Sequence, residues 1–530
     1  MKFDTRDSRG RAPLLAQNIV ATSQPLAAQA GLDAIRKGGN AVDAALAAAI
    51  TLTVVEPTMN GIGGDGFAMV WDGSRLHGLN ASGHSPQAWT PDYFSNAASM
   101  PSTGWGSVTV PGVVSGWRML SERFGRLTFQ DLFSAALQYA SDGFPVSPII
   151  AHQWAIAKEN LADQPGFSEN FLSDHQSPKA GERWLFPQQA ETLAEIAATK
   201  GDSFYQGALA RRIVEFSNKT GGVMTLSDLA SYQAEWVEPV SSAYGSVKIH
   251  EIPPNGSGLA AQIALGILDA INARALPENS AQRIHLQIEA MRLAFADVYE
   301  HLADRRWMAR APEVFLDRNY LESRAALIDP KRAGQYPAGQ PENGGTVYLC
   351  TADQAGMMVS YIQSNYQGFG SGVVAPGGIA FHNRGKAFSL KPGHPNQVAP
   401  RKRPFHTILP AFLTKDLSPL MAFGVMGGNM QPQGHLQVVM RCIDDNLNPQ
   451  AAIDSPRWRI NDDGLLTVEH SMPENTINGL IALGHQVLIA PPGSLDFGGA
   501  QAIMRLETKA NFCSYVAGSD PRRDGMAVGY

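Results

Sequence analysis

Helical and extended hydrophobic patterns alternate through the first third of the chain, helical spacing then takes over, and short extended runs dominate toward its end. In "QPLAAQAGLDAIRKGGNAVDAALAAAITLTVVEP" the spacing predicts an Ala-rich helix closed by Gly38-Gly39 and a second ended by Pro57. Glycine supplies the left-handed residue that closes a helix, and proline cannot extend one. "GFAMVWDGSRLHGLNASG" reads as a hairpin turning at Asp72-Gly73. Helical patterns dominate from Leu132 to Ala234. Further on, Ile284, Ile288, Met291, Phe295, Val298 and Leu302 form one stripe of an amphipathic helix, with His285 and Glu289 expected on its solvated face. A Pro- and Gly-rich loop, "DPKRAGQYPAGQPENGG", comes next. From Thr346 onward extended segments dominate, among them "TVYLCTA", "MMVSYIQS" and "FCSYVAG". Helices first, strands later and a loop between predict an α+β layered fold rather than a regular βαβ series.

Composition narrows the function classes. The 530 residues are 44% hydrophobic and 17% charged, with a net charge of −6 and a pI near 6.1, so neither nucleic acid nor an anionic membrane is expected as a partner. Cys350, Cys442 and Cys513 are widely spaced and read as buried thiols, not as a disulfide framework or a zinc site. The start, "MKFDTRDSRGRAPLLAQNIV", has no apolar h-region, and the run from Ala44 to Val55 is too short to span a bilayer. These features lead to the expectation of a cytoplasmic protein. Gly61, Gly63 and Gly66 match G-x-G-x-x-G, but a helix precedes them and a strand comes after, the reverse of a dinucleotide site. They read as a loop in which backbones approach closely. No cofactor and no metal is expected.

Chemistry gathers at Gly344-Gly345-Thr346, where the long loop meets the first strand pattern. A threonine hydroxyl is a poor nucleophile without a base. At a chain start it has one in its own α-amine, whose pKa of about 7.7–8.0 suits neutral conditions. Mid-chain, such a terminus arises by self-cleavage: the hydroxyl attacks the preceding carbonyl, an N-to-O acyl shift ensues, and water resolves the ester. Glycine at that preceding position leaves the carbonyl unshielded.

The residues downstream of Thr346 add weight: Asp353, Gly356, the Phe369–Gly372 segment "FGSG", the pair Gly378-Ile379, and Asn383. Together with "AAQAGLDAIRKGGNAVDAALAAAITLTVVEP", "GIGGDGFAMV", "VTVPGVVSGW", "EIPPNGSGLAAQIALGILD" and "GSDPRRDGMAVGY", this order of motifs resembles the γ-glutamyltranspeptidase family over most of the chain. The resemblance implies an N-terminal-nucleophile hydrolase with a four-layer αββα sandwich. It further implies a precursor cleaved between Gly345 and Thr346 into a large chain, 1–345, and a small chain, 346–530, that stay together as a heterodimer.

Carried over residue by residue, Thr346 is the processing and catalytic nucleophile, and Ser364 stands where the family usually has a threonine bonded to it. Gly427 and Gly428 of "GVMGGNMQPQG" match the oxyanion-hole glycines, whose N–H groups are worth about 3–4 kcal/mol each in such sites. The γ-glutamyl anchors do not carry over. Ser82 stands where the family has an arginine for the substrate α-carboxylate, and Ala387 where it has an aspartate for the α-amine; Lys402 and Arg403 align with its paired serines. Arg384 replaces an uncharged residue, and a guanidinium can grip a carboxylate with two parallel hydrogen bonds. Arg384, Lys402, Arg403 and Tyr366 are therefore the expected substrate-binding residues, and the expected substrate is a small anionic amide such as oxamate. Rival readings are a γ-glutamyl transferase or glutathione hydrolase with rebuilt anchors, an acylase resembling the cephalosporin acylases, and an uncleaved binding protein.

Overall fold

A computed structural model describes residues 11–334, 336, 345–461, 463–506 and 512–530. Two seven-stranded sheets dominate it. The first runs Met526–Gly529, Ile19–Thr22, Gly345–Ala352, Met358–Tyr366, Asp65–Trp71, Leu76–Ala81 and Glu235–Val237 from edge to edge. The second runs Leu14–Ala16, Tyr515–Ser519, Gly499–Arg505, Ser418–Met426, Ala411–Lys415, Val247–Glu251 and Val240–Tyr244. Every pairing within each is antiparallel.

Inward-facing side chains, including Phe67, Tyr348, Ile362, Phe412, Ala422 and Ile503, fill the space between the sheets. The closeness of the layers shows at Gly424, where an added Cβ would lie 2.4 Å from the Tyr348 ring. Helices cover the outer faces. Ala41–Val55 packs on the first sheet, and Leu259–Ala270, Ala281–His301 and Met430–Ile443 on the second. The result is the four-layer αββα sandwich. Each large apolar side chain buried this way contributes about 1.5–3 kcal/mol.

The Ala41–Val55 helix shows how the sequence fixes the frame of the site. Asn40 caps it by accepting the Val42 and Asp43 N–H groups, and Asp43 reciprocates on the Asn40 N–H. Asp353, just beyond the Gly345–Ala352 strand, accepts the Ala41 N–H at 2.9 Å, and Thr351 donates to the Ala41 carbonyl at 2.6 Å. The helix is thereby clamped to the strand that begins beside Thr346. No described helix is long and apolar enough to cross a membrane.

The hairpin expected at Asp72-Gly73 is present, and both sheets interleave strands from both sides of Thr346. Two expectations need correction. The later half also carries helices, the longest being Met430–Ile443. His285 and Glu289 are fully buried rather than solvated, because the Glu474–Ala482 helix and the loop around His485 cover that face. Cys350 and Cys442 are buried free thiols as expected, and Cys513 is partly exposed. Of the Pro- and Gly-rich loop before Thr346, residues 335 and 337–344 lie outside the described residues.

Candidate active site

Thr346 lies at an irregularity in the first sheet. Gly345 pairs with Tyr366 and Val347 with Gln363, so the single residue Thr346 stands opposite two, Ser364 and Asn365. Such a bulge re-aims the side chains around it. Thr346 Oγ1 sits 3.2 Å from Ser364 Oγ and 3.4 Å from Gln431 Nε2, and the residue is 2% exposed. Ser364 Oγ is held in turn by the Tyr366 N–H at 2.7 Å. Tyr366 has φ +77, a strained conformation for an aromatic residue and one that clusters at functional sites.

Gly427 and Gly428 join the Ser418–Met426 strand to the Met430–Ile443 helix. Their φ values, +126 and +59, make a turn that an L-residue enters only under strain. Among the described residues neither glycine N–H donates to a backbone carbonyl. The turn lies close to Thr346 because Gln431, on the first turn of that helix, reaches the threonine hydroxyl.

Arg384 comes directly after Asn383, whose N–H donates to Asn365 O and whose Oδ1 accepts the Gln367 N–H, both at 3.1 Å. The arginine is thus held over the Tyr366 ring, 4.0 Å from its centroid. It is fully buried; Nη1 donates to Thr407 Oγ1 at 3.1 Å, while Nε and Nη2 have no hydrogen-bond partner among the described residues. Burial pulls its pKa down to about 10, which still leaves it charged at neutral pH.

Behind it stands a buried network that sequence reasoning missed. Asp65 Oδ2 lies 3.1 Å from His406 Nε2 and 3.3 Å from His382 Nδ1, while Oδ1 accepts the Gly83 and Gly112 N–H groups. Burial opposes the Asp65 charge, but the two imidazoles outweigh it and hold the carboxyl far below the ordinary range. His406 is pushed down to about 3 by burial and by Arg384, and as a neutral ring it donates through Nε2 while Nδ1 accepts the Ile408 N–H. The ionised Asp65 is therefore a counter-charge for Arg384. Its only sequence signal was an acid inside the "GIGGDG" motif. The glycines of that motif do serve close approach, since a Cβ on Gly63 would lie 2.4 Å from Ala380 O.

Lys402 and Arg403 are not brought to this place. The Lys402 ammonium is taken by the Pro395 and Gln397 carbonyls and lies over Trp307. Arg403 donates to Ser82 O at 3.0 Å, pairs with Glu235 and lines a separate cavity of about 490 Å³. Tyr366, Thr407, Asn429 and Ala387 instead line a cavity of about 950 Å³.

One group of metal-ligating type occurs among the described residues: His285, Glu289 and His485, with ligand atoms within 4.8 Å of one another. The set is closed on itself. The two imidazoles bond directly at 2.8 Å, His285 Nε2 faces Asp329 O, and Glu289 accepts the Gly334 N–H and faces Arg292. Its partners tie the start of the loop, at Asp329 and Gly334, to the Ala281–His301 helix.

The sandwich matches structures of the N-terminal-nucleophile hydrolase class. The cephalosporin acylase structure from Bacillus halodurans superposes with a TM-score of 0.92 and 42% identity, covering 100% of this chain and 99% of that one. The Gamma-glutamyltranspeptidase family profile matches residues 27–530, and the chain belongs to that family. It is 35% identical over 524 residues to the glutathione hydrolase-like YwrD proenzyme of Bacillus subtilis, spanning 97% of this chain and 98% of the relative. It is also 35% identical over 519 residues to the oxamate amidohydrolase proenzyme of Klebsiella pneumoniae, spanning 95% and 97%. The protein is accordingly an amidohydrolase acting on amide C–N bonds.

Proposed function

We propose that the chain cleaves itself between Gly345 and Thr346 and then hydrolyses a small amide bearing a carboxylate, with oxamate as the substrate that best fits. The observation that carries this reading is Arg384: a buried, charged guanidinium over the ring of Tyr366, whose N–H holds the Ser364 hydroxyl that meets Thr346, with two nitrogens unpartnered among the described residues. An unmet buried donor is costly, and a carboxylate accepting both N–H groups would relieve that cost. Thr346 Oγ attacks the amide carbon while its α-amine takes the proton. The Gly427 and Gly428 N–H groups hold the oxyanion, and the amine returns its proton to the departing ammonia. Water, activated by the same amine, then releases oxalate. Ala387 lines the large cavity without a charge, which disfavours a substrate α-ammonium at that position.

A second reading has its own observation. The cavity beside Tyr366 and Thr407, at about 950 Å³, is far larger than oxamate requires. A longer acyl amide, as the cephalosporin acylase likeness suggests, would fill it.

Ammonium release from oxamate, from glutamine and from the monoamide of a longer dicarboxylic acid separates these readings. Release from oxamate at the highest kcat/KM is expected. Preference for glutamine would return the γ-glutamyl reading, and preference for the longer monoamide the acylase one. Thr346→Ala is expected to run as one uncleaved chain by intact mass and to release no ammonium; an active, cleaved Thr346→Ala would overturn the nucleophile assignment.

A further inference from the structure

Gln431 has no exposed surface. Its side-chain oxygen accepts the Leu409 N–H at 2.9 Å, and its side-chain nitrogen lies 3.4 Å from Thr346 Oγ1. The Leu409 donor fixes which end of the amide is which, since an N–H must meet an oxygen. The amide NH₂ therefore faces the threonine, and toward Thr346 it can only donate. Ser364 Oγ, at 3.2 Å, is the neighbour on the same oxygen that can serve as donor or acceptor.

We infer that Gln431 is a catalytic residue whose N–H stabilises Thr346 Oγ when that oxygen is expelled from an ester. The inference rests on Thr346 being the nucleophile. A donor on this oxygen helps little during attack, when it occupies a lone pair the nucleophile needs. It helps when the C–Oγ bond breaks and negative charge collects on Oγ.

That departure also occurs in self-cleavage, where no substrate is involved. Thr346 Oγ–H adds to the Gly345 carbonyl carbon, the C–N bond to Thr346 breaks, and the nitrogen receives the proton that Oγ gives up. An ester joins Gly345 to Oγ. Water then adds to the ester carbon, the C–Oγ bond breaks, Oγ takes a proton from the water, and Gly345 is left as the carboxyl terminus. Gln431 acts on the second half of this sequence. Its place three residues after Gly428 puts the expected oxyanion donors and a leaving-group donor at one strand-to-helix junction.

Gln431→Met keeps the side-chain length and removes the donor. Purified full-length protein, monitored by intact mass with and without hydroxylamine, gives the test. The 3.4 Å separation is long for a hydrogen bond, so an effect below the ~10²- to 10³-fold usual for such donors is expected, roughly 10- to 100-fold. The variant should split at least ~10-fold more slowly than the parent. Hydroxylamine should restore scission, leaving a hydroxamate on Gly345, because the stalled species is an ester. Splitting at the parent rate overturns the inference, and so does a stalled precursor that hydroxylamine leaves intact, since its block then lies before the ester.

Gln431→Glu guards against misfolding, because it retains the acceptor for Leu409 and nearly the same volume. It is expected to stall at the ester as well, its carboxylate opposing charge on Oγ; a Glu variant that splits at the parent rate also overturns the inference. Thr346→Ala must be inert to hydroxylamine throughout. If the parent itself does not split between Gly345 and Thr346, the nucleophile reading has failed and takes the Gln431 role with it. Normal parent splitting combined with unaffected Gln431 variants removes the Gln431 role alone.

Discussion

A guanidinium with no exposed surface keeps its charge because something nearby answers it, and at Arg384 the answer is divided. The ionised Asp65 supplies the standing counter-charge, Thr407 takes one N–H, and the Tyr366 ring lies against the face. Nε and Nη2 have no hydrogen-bond partner among the described residues, and we propose that they meet the substrate carboxylate. On our reading Arg384→Met leaves the reacting atoms alone and removes recognition of the carboxylate. It should lower kcat/KM for oxamate by about 10²-fold or more, the scale of truncating one partner of a buried, hydrogen-bonded charge pair. Arg384→Lys, a charge without the planar fork, should fall between. The ratio of kcat/KM for oxamate to that for a neutral primary amide is the quantity to measure. A ratio unchanged in Arg384→Met would mean that the carboxylate is bound elsewhere. Lys402, satisfied by two carbonyls, and Arg403, paired with Glu235, offer no such unmet donors at this place.

Two local departures from regular structure assemble the site: the bulge opposite Thr346 and the Gly427-Gly428 turn at the end of the Ser418–Met426 strand. The turn is the more brittle. At φ +126 an L-residue is strained, and a Cβ on Gly427 would also sit 3.0 Å from Gly498 Cα. Gly427→Ala is expected to cost about 1–3 kcal/mol of stability and to slow self-cleavage and turnover together, as the N–H groups turn from the oxyanion. Thermal melting alongside intact mass checks this; a destabilised variant with normal turnover would place the oxyanion donors elsewhere. Much at this scale was legible in sequence. The Gly38 and Pro57 helix stops, the Asp72-Gly73 hairpin and the glycine pair all carry local chemistry. The Met430–Ile443 helix was not legible, because Pro432 and Gly434 interrupt a helical pattern locally, although the first helical turn tolerates proline. Asp65 and Gln431 were invisible for a different reason. Their partners, His382, His406, Leu409 and Thr346, are distant in sequence, and no local pattern announces such a contact.

Across the whole molecule the halves on either side of Thr346 are interleaved. The Gly345–Ala352 strand pairs with Ile19–Thr22, and Met358–Tyr366 with Asp65–Trp71, so cleavage before Thr346 would leave two chains sharing both sheets. Local alternation of residues cannot show such pairings, which join segments far apart in the chain. Charge also crosses the join. Glu56, at the end of the Ala41–Val55 helix, is fully buried, accepts a hydrogen bond from Ser23 at 2.5 Å and feels Arg523 from the far end of the chain. Burial raises its pKa from 4.5 to about 8, more than Ser23 and Arg523 lower it, so the folded protein holds this carboxyl neutral at pH 7. Because the folded chain keeps the proton to higher pH than the unfolded chain does, its contribution is complete below about 4.5 and is lost as pH climbs to about 8. Glu56→Gln preserves the shape and the Ser23 bond and has no proton to lose. The parent should therefore lose stability relative to Glu56→Gln between about pH 5 and 8, with the difference in melting temperature widening steadily in that direction. Parallel melting curves across the window would mean that Glu56 is ionised in the folded protein, held by Arg523 across the join.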